Sequence, residues 1–197
     1  DAHLAANAIG ATPTARPEDT DIDPISGDLL ITFTMGGSDE TGSPDPAIFR
    51  GPKGETPWPF GWVMRGSDAP ADARLAGGTM NWRMVATGGT PWEGGLGFAN
   101  PDNLAIDQQG NVWMVTDRSF GSSQSDIFGK NACWILPRNA SNEQQAVLFA
   151  SGPIESELCG PCFDADEHTL FLAVQHPGEQ HGCHQHQQIE MQAFTLE

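Results

Sequence analysis

Arg16 and Glu18 flank Pro17, and two further carboxylates, Asp102 and Glu157, stand at comparable places later in the chain. Carboxylates are hard oxygen donors, and several of them brought to one point hold metal ions such as calcium. An arginine beside them suits a phosphate, whose oxygens a planar guanidinium grips in pairs. On an extended segment residues i and i+2 share a face, so Arg16 and Glu18 are expected to point into one pocket. The competing reading is plainer: acids solvated at strand starts, and a surface ion pair. Spacing alone leaves both open.

The elements around these residues bear on that choice. Arg16-Pro17-Glu18 leads through a short segment and a turn into an apolar strand at 29–34, and the same layout recurs at 100–117 and 159–174. Aligned on their turns, Asp23, Asp107 and Asp164 coincide, at intervals of 84 and 57 residues. Gly27 and Gly110 close the first two turns, where the third has Asp166-Glu167. Glu18, Asp102 and Cys159 then stand level, and Glu157 stands level with Arg16. Each interval has room for about four short strands, and four-stranded units with long inserts mark propeller blades. The innermost strand of a blade lines the central channel, so the leading residues of each copy are expected to converge at one end of it.

Composition agrees with this all-β reading. The 197 residues are 38% hydrophobic, with Gly 23 and Pro 15, and their apolar runs are short and closely punctuated. No amphipathic pattern lasts three helical turns, which favours sheets and many turns. Residues 1–12 are Ala-rich and predict a loop or a short turn of helix, stopped by Pro13 and Pro17. Further strands are expected at 60–65, 80–86, 132–136, 146–150 and 189–196. Polar connections fall at 66–79, 119–125 and 137–143. The long loop at 36–59 is expected to pack down through Trp58, with Phe60 just beyond it.

A net charge of −17 leaves no basic stripe for nucleic acid and disfavours an anionic membrane surface. No apolar run is long enough to span a membrane. No signal peptide is visible, and a chain that starts at Asp1 fits a mature or trimmed product. Cys159 and Cys162, with His176, His181, Cys183, His184 and His186 downstream, invite a zinc reading, though not at the spacing of a standard finger. Cys162 reads equally as a buried thiol at a strand start, and a bridge from Cys159 or Cys162 to Cys133 or Cys183 is the other option. No Gly-rich phosphate loop opens a helix, and neither a nucleophile elbow nor an HExxH motif is present.

Four segments together resemble the PhoX-type alkaline phosphatases. They are Gly10-Ala11-Thr12-Pro13 with Arg16-Pro17-Glu18; Pro101-Asp102-Asn103 with Asn111-Val112-Trp113 and Thr116-Asp117; Glu157-Leu158-Cys159-Gly160-Pro161; and Gln175-His176-Pro177-Gly178-Glu179. Phe60-Gly61-Trp62 fits between the first two. The resemblance implies a secreted or periplasmic β-propeller phosphomonoesterase with a mixed iron–calcium cluster at the channel mouth. It implies Glu18, Asp102 and Glu157 as metal ligands, Arg16 as the phosphate contact and a phosphate ester as substrate. Family members are much longer, so residues 1–197 are expected to be one propeller segment from the C-terminal part of a larger propeller. Its natural partners would be the missing upstream blades, which supply further ligands, or a partner chain. Cys159 stands where the family more often has Thr. Two other readings remain: a non-catalytic propeller segment used for binding or assembly, and a lactonase-like propeller using calcium without iron.

Overall fold

Leu29–Phe33 (β2) shows why this sequence makes sheets. Leu30 points into one apolar cluster, while Ile31 and Phe33 point into another on the opposite face. A strand covered on both faces needs a layer on each side, and the fold supplies them. The structure, a computed structural model, describes residues 1–37, 44–68, 80–118, 125–138, 145–178 and 190–195.

Three antiparallel meanders follow one another. The first comprises Pro17–Ile22 (β1), β2, Trp62–Asp68 (β3) and Met80–Thr87 (β4), paired in chain order. The second comprises Pro101–Ile106 (β5), Val112–Thr116 (β6), Ala132–Leu136 (β7) and Val147–Ser151 (β8). The third pairs Glu157–Phe163 (β9) with Thr169–Gln175 (β10), and β10 with Glu190–Thr195 (β11). Each is a propeller blade. A helix, Ala2–Ala8 (α1), precedes them and is closed well before Pro13 by Gly10, whose φ is 68°, with the Ala11 N–H donating back to the Ala6 carbonyl.

The blades stack through apolar faces. Leu30, Val63, Val85 and Ala86 of the first pack against Leu104, Val112, Met114 and Leu136 of the second. Trp113, Val115 and Cys133 of the second pack against Leu158, Leu170, Leu172 and Val174 of the third. Burial of each large side chain is worth about 1.5–3 kcal/mol, so these two interfaces hold the fan together. On its other face the first blade is covered by the long loop, whose Phe49 and Trp58 pack with Phe33, Trp62 and Met64. Of that loop, residues 38–43 lie outside the described residues, as do 69–79, 119–124, 139–144 and 179–189 of the other connections.

The turn alignment has a physical basis. Asp23 accepts the backbone N–H groups of Ile25 and Ser26, Asp107 that of Asn111, and Asp164 that of Thr169. Each carboxylate thus closes its own hairpin. Gly27 and Gly110 have φ of 75° and 81°, and Glu167 takes the same left-handed conformation at 55°. Glu167 stays useful there, since both its carboxylate oxygens accept the Gln108 N–H at 2.9 Å.

The first strand begins at Pro17, and its ladder with β2 is interrupted by a bulge between Pro17 and Thr20. One expectation needs adjustment. Cys162 is exposed; the buried thiols are Cys133 and Cys159. In β9 the bulge lies between Cys159 and Cys162 in the pairing with β10, so Cys162 falls outside the regular alternation that its neighbours suggest.

Candidate metal centre

The innermost strands β1, β5 and β9 lie side by side, and polar side chains bolt each to the next. Asp19 and Asp21 accept the backbone N–H groups of Leu104 and Ile106, each at 3.0 Å. Asn103 accepts the Gly160 N–H at 3.0 Å. Several acids that sequence composition would assign to solvent are therefore inter-blade fasteners.

The leading ends of these strands are pinned by three buried polar residues. The Thr32 hydroxyl donates to the Asp102 carbonyl and accepts the Asp19 N–H. Asn100, in the left-handed region with φ 54°, donates from its amide to the carbonyls of Thr34 and Pro59, and its own carbonyl accepts the Asp117 N–H. Asn131, with no exposed surface, donates to the carbonyls of Arg118 and Ser156 and accepts from the Thr116 hydroxyl and the Arg118 N–H. Ser156 immediately precedes Glu157. Buried groups so fully bonded fix backbone position, because any shift leaves a donor or acceptor unpaired.

Acids gather at this end. One carboxylate oxygen each from Asp102 and Glu157 and the Cys159 sulfur lie within 4.8 Å of one another. The Cys159 thiol donates to Glu157 Oε1 at 2.7 Å, and the Gln175 amide donates to both Glu157 and Cys159. Burial pushes the Asp102 carboxyl up to about 7, with added repulsion from Glu18, Asp117, Glu157 and Asp19. Asp117 is raised as well, by desolvation and then by Glu157 and Glu18, with Arg16 and His176 offsetting part of the effect. Desolvation, the hydrogen bond to Glu157 and that residue's charge push the Cys159 thiol up to about 12.

Asp102 and Glu157 thus meet directly, and Glu18 adds to the charge felt by Asp102 and Asp117. Arg16 donates to Glu18 at 3.0 Å, as the shared face of alternate residues predicts. The Arg16 side chain is 65% exposed, which leaves it free to reach an incoming anion. Asp117 joins this group although its spacing in the sequence does not single it out. Its signal is the antiparallel pairing of Pro101 with Thr116, which sets the residue after Thr116 beside the start of β5. The zinc reading gains no second cysteine: among the described residues Cys162 joins no donor cluster, and Cys133, Cys159 and Cys162 are free thiols. His181, Cys183, His184 and His186 lie outside the described residues.

This donor set fits a bound cation. Oxygen and sulfur donors converge within one coordination sphere, and among the described residues Asp102, half-buried and surrounded by like charge, has no ion-pair partner.

Comparison with known proteins bears on what such a centre does. A family model described as alkaline phosphatase PhoX matches residues 1–178. Among solved structures, the PhoX of Pseudomonas fluorescens in complex with vanadate, a transition-state analogue, superposes with a TM-score of 0.74 at 26% identity. That match covers 98% of this chain and 35% of the Pseudomonas chain, so the chain spans about a third of that protein's length. A gluconolactonase from Xanthomonas campestris aligns with a TM-score of 0.41 and 15% identity, over 93% of this chain and 59% of that one, and nothing of its chemistry transfers at that level. No curated protein matches the chain in sequence.

Proposed function

The chain belongs to the alkaline phosphatase PhoX family, and from that premise we propose that its acidic mouth forms part of a metal-dependent phosphomonoesterase site. The observation that carries this reading is the convergence of Asp102 and Glu157, with Glu18 and Asp117 beside them and Arg16 at the rim. Glu18, Asp102 and Glu157 would hold the metals, calcium and iron by family resemblance. When bound, such metals polarise phosphoryl oxygens and activate an oxygen nucleophile.

The chain's own residues do the rest. Arg16 grips the phosphate and offsets the charge that grows on its oxygens in the transition state. Thr32, Asn100 and Asn131 hold the carboxylate-bearing strand ends in place, which keeps the site from reorganising during the reaction. A molecule of net charge −17 repels an anionic ester, so local cations must dominate the field at the mouth. This reading makes residues 1–197 one segment from the C-terminal part of a larger propeller, exported from the cytoplasm. No helix among the described residues is long and apolar enough to cross a membrane.

The test is hydrolysis of a simple aryl phosphate by the full-length protein, supplied with calcium and iron, against its Arg16→Ala variant. Turnover that drops in the variant supports the assignment. An inactive metal-loaded protein, or an Arg16→Ala variant with full activity, overturns it. One observation favours a second reading, a segment used for assembly. Phe171 and Ala173, on the face of β10 opposite the core, are only half-buried. A protein that binds no metal and turns over no ester, yet associates stably with another propeller piece, would select that reading.

A further inference from the structure

We propose that Cys159 is a ligand in its own right, adding a thiolate to Asp102 and Glu157 and so creating a position for a soft or borderline transition metal. The proposal rests on the metal-centre reading above and deepens it.

The argument starts from strand register. In β1 the bulge follows Pro17, and in β5 it follows Pro101, so the residues after each lose the regular two-residue period. In β9 the ladder continues through Glu157 opposite Gln175, Leu158 opposite Val174 and Cys159 opposite Ala173 before its bulge begins. An unbroken ladder puts Glu157 and Cys159 on one face, opposite Leu158, which points into the core. The later bulge is what sets a sulfur beside the carboxylate.

The sulfur is also held. Gln175 donates to it from the neighbouring strand, and the Asn103 side chain accepts the N–H of the next residue, Gly160. Its atom lies within 4.8 Å of carboxylate oxygens from two different blades, a separation that one ion can bridge. Thiolates favour iron, zinc and cobalt over calcium, whereas carboxylates accept both classes. One centre with both donor types would therefore select a transition metal at the Cys159 corner and leave harder ions to the outer carboxylates. On binding, the Sγ–H bond breaks, the metal–sulfur bond forms, and the proton leaves to solvent.

Cobalt(II) is the probe, because a cobalt–thiolate bond gives a near-ultraviolet charge-transfer band that carboxylate coordination lacks. The full-length protein is used with Cys162 and Cys183 replaced by serine, which removes the exposed thiol and the one in the His-rich tail. The expected result is about one thiolate-to-cobalt band per bound ion in this background. Cys159→Ser should abolish the band and weaken cobalt binding at least tenfold, with calcium binding changed less than about twofold. Cobalt bound without the band, or a band that survives Cys159→Ser, overturns the thiolate and leaves the carboxylate centre standing. A protein that binds neither cobalt nor calcium overturns the metal-centre reading itself. The band in the Cys159-containing protein is measured before that residue is touched, so the result does not depend on the folding of Cys159→Ser.

Discussion

Arg16 and Asp102 make the sharpest claims at the scale of single residues. Arg16→Ala should lower kcat/KM for an aryl phosphate by about 10²–10³, the usual effect of removing one stabilising donor in the transition state. Arg16→Lys should recover little, since an ammonium cannot span two phosphate oxygens. Steady-state kinetics on both variants check this. Asp102 predicts a pH effect on the metal-free protein. Its folded value, about 7, lies above its ordinary one, so the protonated form favours the fold. That contribution is complete below the ordinary carboxylate range and is lost as pH rises through about 7. Thermal unfolding in chelator should therefore show stability falling between about pH 4 and 7, and the slope should flatten in Asp102→Asn. Arg16, Glu18, Asp102 and Glu157 were legible as candidates because charge and spacing are written in the sequence. Cys159 stood level with Glu18 and Asp102 in the turn alignment, but its contact with the Glu157 carboxylate depends on strand register, and the place of Asp117 depends on the bulge and cross-strand pairing of β5.

At the scale of elements, the acids divide into those that serve the site and those that serve the blades. Asp23 is the clearest of the second kind. It is fully buried, with Arg65 at 2.6 Å and Arg138, from the second blade, at 2.7 Å. Burial alone would raise its carboxyl, but Arg65 and the N–H groups of Ile25 and Ser26 outweigh that and hold it well below the usual range. A depressed acid stabilises above its unfolded value and loses that contribution as pH falls through the folded one, so this clasp should open only in strong acid. Asp23→Asn removes the carboxylate that Arg65 and Arg138 share, leaving Arg65 its weaker contact with Asp28 at 3.2 Å, and should cost about 3–5 kcal/mol in urea unfolding at neutral pH. Asn131→Ala should cost about 1–3 kcal/mol and also lower metal affinity, because Asn131 anchors Ser156 beside Glu157. The repeat of turn aspartates was visible in sequence because a hairpin closed by a side chain needs an acid at one fixed place. The clasp between Asp23 and Arg138 was not, since it joins residues 115 apart in the chain.

For the whole molecule, the propeller is the reason that residues far apart in sequence share one mouth. Three blades stacked through Leu30, Met114 and Leu172 bring the starts of β1, β5 and β9 together, and no single blade could assemble the cluster alone. The all-β class and the order of blades followed from short apolar alternations and recurring turns. The long loop was harder to read, because its coverage of the first blade rests on Phe49 and Trp58 packing against strands on both sides of it in sequence. The chain spans 35% of its Pseudomonas relative, so ligands from beyond it are expected to complete the centre. Elemental analysis of the full-length protein, purified without chelator, tests this account most directly. It predicts bound iron together with calcium, both reduced in Asp102→Asn; a folded protein that carries no bound metal would contradict it.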